Sequence, residues 1–132
     1  MTLQPLLSAP VVVQAHAFAA MAAFGLGAVQ LALPKGTRLH RASGWTWVLM
    51  LAFVAAGSFW INGIRQFGPF SAIHLLSVFA LVMLVTGVAA ARRGQVARHR
   101  AIMSLTFAGA LVIAGVFTFW PGRVMHAVVF GP

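Results

Sequence analysis

Four long apolar runs, at residues 11–33, 44–64, 70–91 and 101–120, alternate with short polar interruptions along this chain. Each run supplies the roughly 20 apolar residues that a helix needs to cross a bilayer core. The apolar residues run on continuously, without the ten-residue alternating segments of a transmembrane β-barrel. Only short connections are left over, too small for a separate soluble domain. The expected fold is therefore all-α, a single four-helix transmembrane bundle over residues 1–132. Composition agrees. Mean hydropathy is +0.97 and 7 % of residues are charged, against about 25 % in a soluble domain. Residues 1–10 contain no Lys or Arg, so the first run reads as a retained span and not as a cleavable signal peptide.

The polar interruptions repeat. His16 is matched by His74 at an offset of 58, His40-Arg41 by His99-Arg100 at 59, and Phe59-Trp60 by Phe119-Trp120 at 60. Phe67-Gly68-Pro69 is matched by Phe130-Gly131-Pro132 at 63. The drift reads as a few loop insertions. Each repeat holds two spans, so the copies share one orientation and form two parallel helical hairpins.

Charge then orients the bundle. Lys35, Arg38 and Arg41 lie between runs one and two, and Arg92, Arg93, Arg98 and Arg100 between runs three and four. Arg65 and Arg123 are on the opposite side. The positive-inside rule places the seven-cation side in the cytoplasm and both termini in the periplasm. The expected location is a bacterial inner membrane, crossed several times. Anionic lipid headgroups are the expected partners of the basic side. Nucleic acid is not, because no soluble basic face remains.

The chain has no Asp, Glu or Cys. Carboxylate acid–base work, a Ser-His-Asp arrangement, thiolate metal sites and disulfides are all excluded. Histidine is left. His16 and His74 open apolar runs on the outer side, and His40 and His99 sit in the basic loops on the inner side. In a pseudo-symmetric bundle each pair can face across the axis, and two imidazoles from facing helices are what a bis-His haem requires. The candidate metal ligands are His16, His74, His40 and His99. Arg41 and Arg100, with Arg38 and Arg98, are candidates for holding haem propionates, lipid phosphates or an acidic partner protein, since no protein carboxylate exists to neutralise them. The outer pair's entry into hydrocarbon points to it ahead of the inner pair, for which a solvated or lipid-facing role is the competing reading.

Other residues have structural readings. Gly25, Gly27, Gly57, Gly87, Gly109 and Gly115 suit close helix–helix approach. Trp45, Trp47, Trp60 and Trp120 suit an interfacial belt. Gln14, Gln30 and Asn62 suit interhelical hydrogen bonding or the headgroup zone, and Met21, Met50, Met83 and Met103 suit packing. His126 breaks the repeat and reads as structural.

The run Gly36-Thr37-Arg38-Leu39-His40-Arg41-Ala42-Ser43-Gly44-Trp45 is distinctive. So are Gly68-Pro69-Phe70 with Ile73-His74, Arg98-His99-Arg100 with Met103, and Pro121-Gly122-Arg123. Together they resemble a family of small bacterial inner-membrane proteins known only as membrane proteins of unknown function, from His16 to Arg123. A more distant likeness is to di-haem b-type cytochromes of the cytochrome b-561 kind. That likeness implies an outer haem b on His16 and His74, an inner one on His40 and His99, and electron transfer from a quinol or ascorbate-like donor. The competing expectation is a non-catalytic accessory subunit of a larger respiratory or photosynthetic complex, or a homo-oligomer.

Overall fold

The computed structural model describes residues 1–61 and 72–131. The readings placed on Asn62, Arg65, Phe67-Gly68-Pro69 and Pro132 lie outside the described residues. A short helix, α1 (Gln4–Leu7), precedes α2 (Val11–Ala32), α3 (Arg38–Gly57) with a 3₁₀ turn at Ser58–Trp60, and α4 (Ala72–Arg92). The fourth span begins as α5 (Val96–Thr106), widens into π-helix over Phe107–Ile113 and ends as α6 (Ala114–Thr118). A short α7 (Val124–Phe130) follows. Among the described residues the molecule thus contains four helices long and apolar enough to cross a membrane.

The two tight connections are built from local chemistry. Pro34 pushes Leu33 into extended backbone, with ψ 155°, and so ends α2. The Lys35 ammonium then donates to the freed carbonyls of Gln30, Leu31 and Leu33 at 2.6, 2.8 and 2.7 Å. Gly36 takes φ +80°, and the Thr37 hydroxyl caps α3 by accepting from the His40 N–H at 3.0 Å. Gly94, at φ +73°, makes the equivalent turn before α5. Both positions lie in the left-handed region that a Cβ penalises.

These caps start the second and fourth spans a turn or more before their apolar runs. His40 and His99 therefore belong to helices rather than to loops, in the first turns of α3 and α5. Composition missed this because the opening turns are basic and polar.

Helices adjacent in sequence pack side by side: α2 along α3, α3 against α4, α4 along α5, and the fourth span back against α2. Spans one and three are thus diagonal, as are spans two and four. Ala23, Trp47, Leu51, Val54, Leu84 and Leu111 form the core. Most other large apolar side chains point outward. Lipid provides no hydrophobic drive for association, so close packing and interhelical hydrogen bonds hold such a bundle together.

Trp47 shows how. It is only 5 % exposed, and its indole N–H donates to the Ala23 carbonyl at 3.0 Å. Its place is the core and not the membrane belt, because this bond satisfies its one polar atom. Trp45, Trp60 and Trp120, at 48, 70 and 65 % exposure, remain on the surface. The glycines divide as well. A Cβ on Gly27 would come within 2.6 Å of the Trp47 indole nitrogen, one on Gly87 within 2.6 Å of Met103, and one on Gly109 within 3.2 Å of Phe79. Gly25, Gly57 and Gly115 have nothing within 4 Å.

The π-helical stretch explains part of the repeat's drift. Between His99 and Phe119 the second copy has one residue more than the first has between His40 and Phe59. An extra residue inside a helix is absorbed as a wider turn, and Phe107–Ile113 provides that turn. This part of the drift lies within a span and not in a loop.

Candidate functional site

The four repeated histidines end in two different arrangements. At the basic end, His40 and His99 face one another across the diagonal of spans two and four. Their ring centroids are 6.5 Å apart and their planes 86° apart. Each ring is anchored through Nδ1 to the other span of its own hairpin. His40 Nδ1 lies 2.8 Å from the Gln30 side-chain nitrogen on α2, and His99 Nδ1 lies 2.8 Å from the Gly87 carbonyl on α4. Metal-binding histidines commonly donate the N–H of the non-ligating nitrogen to an acceptor, as His99 Nδ1 does to the Gly87 carbonyl and His40 does not. Gln30 is itself held, donating to the His40 carbonyl at 2.8 Å and accepting from the Ser43 hydroxyl.

Cations surround this pair. Lys35 and Arg41 lie within electrostatic reach of His40, and Arg38, Arg41, Arg98 and Arg100 are exposed around the pair. Arg92 is partly engaged, lying 6.0 Å from the Trp45 ring across the hairpin boundary. With no Asp or Glu in the chain, side-chain counter-ions must come from another molecule.

At the opposite end, His16 and His74 both lean on the close of span two. His74 is buried, 3 % exposed. Its Nε2 bonds the Ser58 carbonyl at 3.1 Å, and its ring stacks on Phe59 at 5.5 Å. The His16 ring lies beside the Val54 carbonyl, and its Nδ1 is buried without a hydrogen-bond partner. Val54 and Ser58 are one helical turn apart. The two outer imidazoles are thus brought to one stretch of span two, and no ring-to-ring contact between them is found among the described residues. His126, as its sequence position suggested, has a structural bond, from Nδ1 to the Phe119 carbonyl at 2.7 Å. It helps seat α7, which also packs on α1 through the Thr2 N–H and the Val128 carbonyl, 3.0 Å apart.

Of the site residues Gln30, Ser43 and Gly87, sequence reasoning read Gln30 for interhelical hydrogen bonding or the headgroup zone and Gly87 for close helix approach, and connected none of the three to the histidines. A signal existed for two of them. Gln30 and Gly87 are 57 residues apart, near the repeat offset, and lie ten and twelve residues before His40 and His99.

The matched family model, covering residues 13–130, is described as a predicted membrane protein family, DUF2306. The chain belongs to that family. No curated protein and no solved structure matches. What is established for the DUF2306 chain is therefore its membrane character and its fold. Its chemistry has to be argued from the site.

The inner pair can be tested against a haem. Two imidazoles on opposite sides of one metal, with metal–nitrogen bonds of about 2.0–2.1 Å, have centroids roughly 6 Å apart. The observed centroid distance of 6.5 Å is close to that spacing. No group of three His, Cys, Asp or Glu forms among the described residues. A zinc ion, which wants three or four protein ligands, is poorly served. A haem, whose macrocycle fills four positions itself, asks for two.

Proposed function

We propose that this protein is a b-type cytochrome-like electron carrier of the membrane, with a single haem b held at the basic end by His40 and His99. The observation that supports this reading is the approach of those two rings to 6.5 Å, each anchored by Nδ1. When bound, the haem supplies a one-electron couple. The chain's own groups do the rest. Gly87 and Gln30 hold the two rings in place. Arg38, Arg41, Arg98 and Arg100 are placed to receive anionic propionates or lipid phosphates. Their positive charge disfavours the more positive oxidised state and so raises the potential.

In this reading the end bearing the seven cations faces the cytoplasm of a bacterial inner membrane, with both termini on the far side. The electron donor is a membrane quinol. The test is a visible absorption spectrum of the purified protein. A Soret band with a dithionite-induced α-band is expected, and it should be lost in His99→Ala. A protein lacking both bands after haem supplementation would overturn the proposal.

A second reading, an accessory subunit of a larger membrane complex, is favoured by one observation. Gly25, Gly57 and Gly115 leave open grooves on outward-facing helix surfaces, where another chain's helix would pack closely. Co-purification of a stoichiometric partner, with no haem bands, would support it over the first.

A further inference from the structure

The two inner histidines are anchored by groups of opposite character. The Gly87 carbonyl can only accept, so His99 Nδ1 must carry the proton and its Nε2 presents a lone pair. Gln30 presents its amide nitrogen to His40. The orientation of that amide follows from its other bonds. Its nitrogen also faces the His40 backbone carbonyl at 2.8 Å, which can only accept, while its oxygen faces the Ser43 hydroxyl, whose one proton is shared with the Leu39 carbonyl at 2.7 Å. A reversed amide would set two carbonyl oxygens against each other at that distance. Gln30 therefore donates to His40 Nδ1, and the His40 proton resides on Nε2.

We infer that the inner histidines hold opposite tautomers, set by Gln30 and Gly87, so that His99 is a ready metal ligand and His40 a displaceable one. This rests on the haem reading for its consequence but not for its core. For His40 to ligate, its proton must pass from Nε2 to Nδ1, and the hydrogen bond from the Gln30 amide must break or turn over. His99 needs no such change. The haem position beside His40 is consequently open to exchange, and a small neutral diatomic ligand such as carbon monoxide should compete for it. His40 displaced from such a group would regain its Nε2 proton from Nδ1 and restore the bond with Gln30. Gln30 is thus a positioning residue that acts through His40.

Two measurements test this. In the haem-free protein, ¹⁵N NMR with labelled histidine should show His40 protonated at Nε2 and His99 at Nδ1. Matching tautomers would overturn the inference whatever the haem content. In the haem-loaded, dithionite-reduced protein, carbon monoxide should shift the Soret band. Gln30→Glu, whose carboxylate accepts from Nδ1–H and holds His40 on the metal, should bind it about tenfold more weakly. Ser43→Ala frees the Gln30 oxygen and should weaken binding in the same direction by less, which covers the case in which Gln30→Glu does not fold. An α-band without any carbon monoxide response, or a response equal in all variants, overturns the displaceable His40 and leaves the cytochrome reading intact. Absence of haem bands overturns that reading, while the tautomers still decide the role of Gln30.

Discussion

The two ends of the bundle hold the same residue type at repeat-related positions and treat it oppositely. At the basic end, His40 and His99 spend one nitrogen each on an anchor and come together across the diagonal. At the far end, His16 and His74 are brought against one stretch of span two, His74 bonding the Ser58 carbonyl and stacking on Phe59. Depth in the apolar run accounts for the difference. An imidazole deep among hydrocarbon is costly unless bonded, and the span-two carbonyls, Val54 and Ser58, are close by. At the basic end the partners are instead the Gln30 amide and the Gly87 carbonyl, each meeting one Nδ1. Histidines that look equivalent in sequence therefore divide into a pair that meets ring to ring and a pair that leans on one stretch of span two.

That contrast can be broken most directly by exchanging the readouts. His99→Ala should abolish the haem bands altogether. His16→Ala should leave them unchanged, and equal loss in both variants would end the division of labour. For His74→Phe the expected result is a stability loss of about 1–3 kcal/mol with an unaltered spectrum, from the severed bond to Ser58. Denaturant titration in detergent would measure it, and spectral loss at full stability would contradict the bracing role.

Within α2 a sharper version is available two residues apart. Gly27→Ala should cost about 1–3 kcal/mol, because its Cβ has no room beside Trp47 and Phe107. Gly25→Ala should be neutral or slightly stabilising, as its surroundings are open. Thermal melts of both proteins decide it. The smallest effect expected is that of Arg92→Gln, about 0.5–1 kcal/mol from its contact with Trp45 across the hairpins. A loss larger than that of Gly27→Ala would show that the hairpin boundary, rather than the core, limits stability.

Much of this was legible in the residues themselves. The four spans follow from length and hydropathy, and the pairing of His40 with His99 follows from the repeat, since equal positions in parallel hairpins reach equal depth. Helix starts were harder to see. The basic turns before residues 44 and 101 do not resemble membrane helix, and only the Thr37 cap and the Gly94 turn show that helix begins earlier. Trp47 was also opaque. A tryptophan near a span end reads as a belt residue, and only its bond to Ala23 reveals a core position. The anchoring of the histidines depends on which side chain meets which across a hairpin, and hydrophobic periodicity carries no such information. Gln30 could be noticed as a polar residue near the end of an apolar run, but its partner could not be read.

The π-helical turn in the fourth span limits how the two hairpins can be interchanged. One residue more or less inside a helix rotates everything beyond it by roughly 100°. A chimaera carrying two copies of the first hairpin would lack both the surplus residue and the wider turn that absorbs it, so its last turns would keep their face while the fourth span lost its π-helical stretch. It would also offer two glutamines to two imidazoles, a symmetry the natural chain has abandoned.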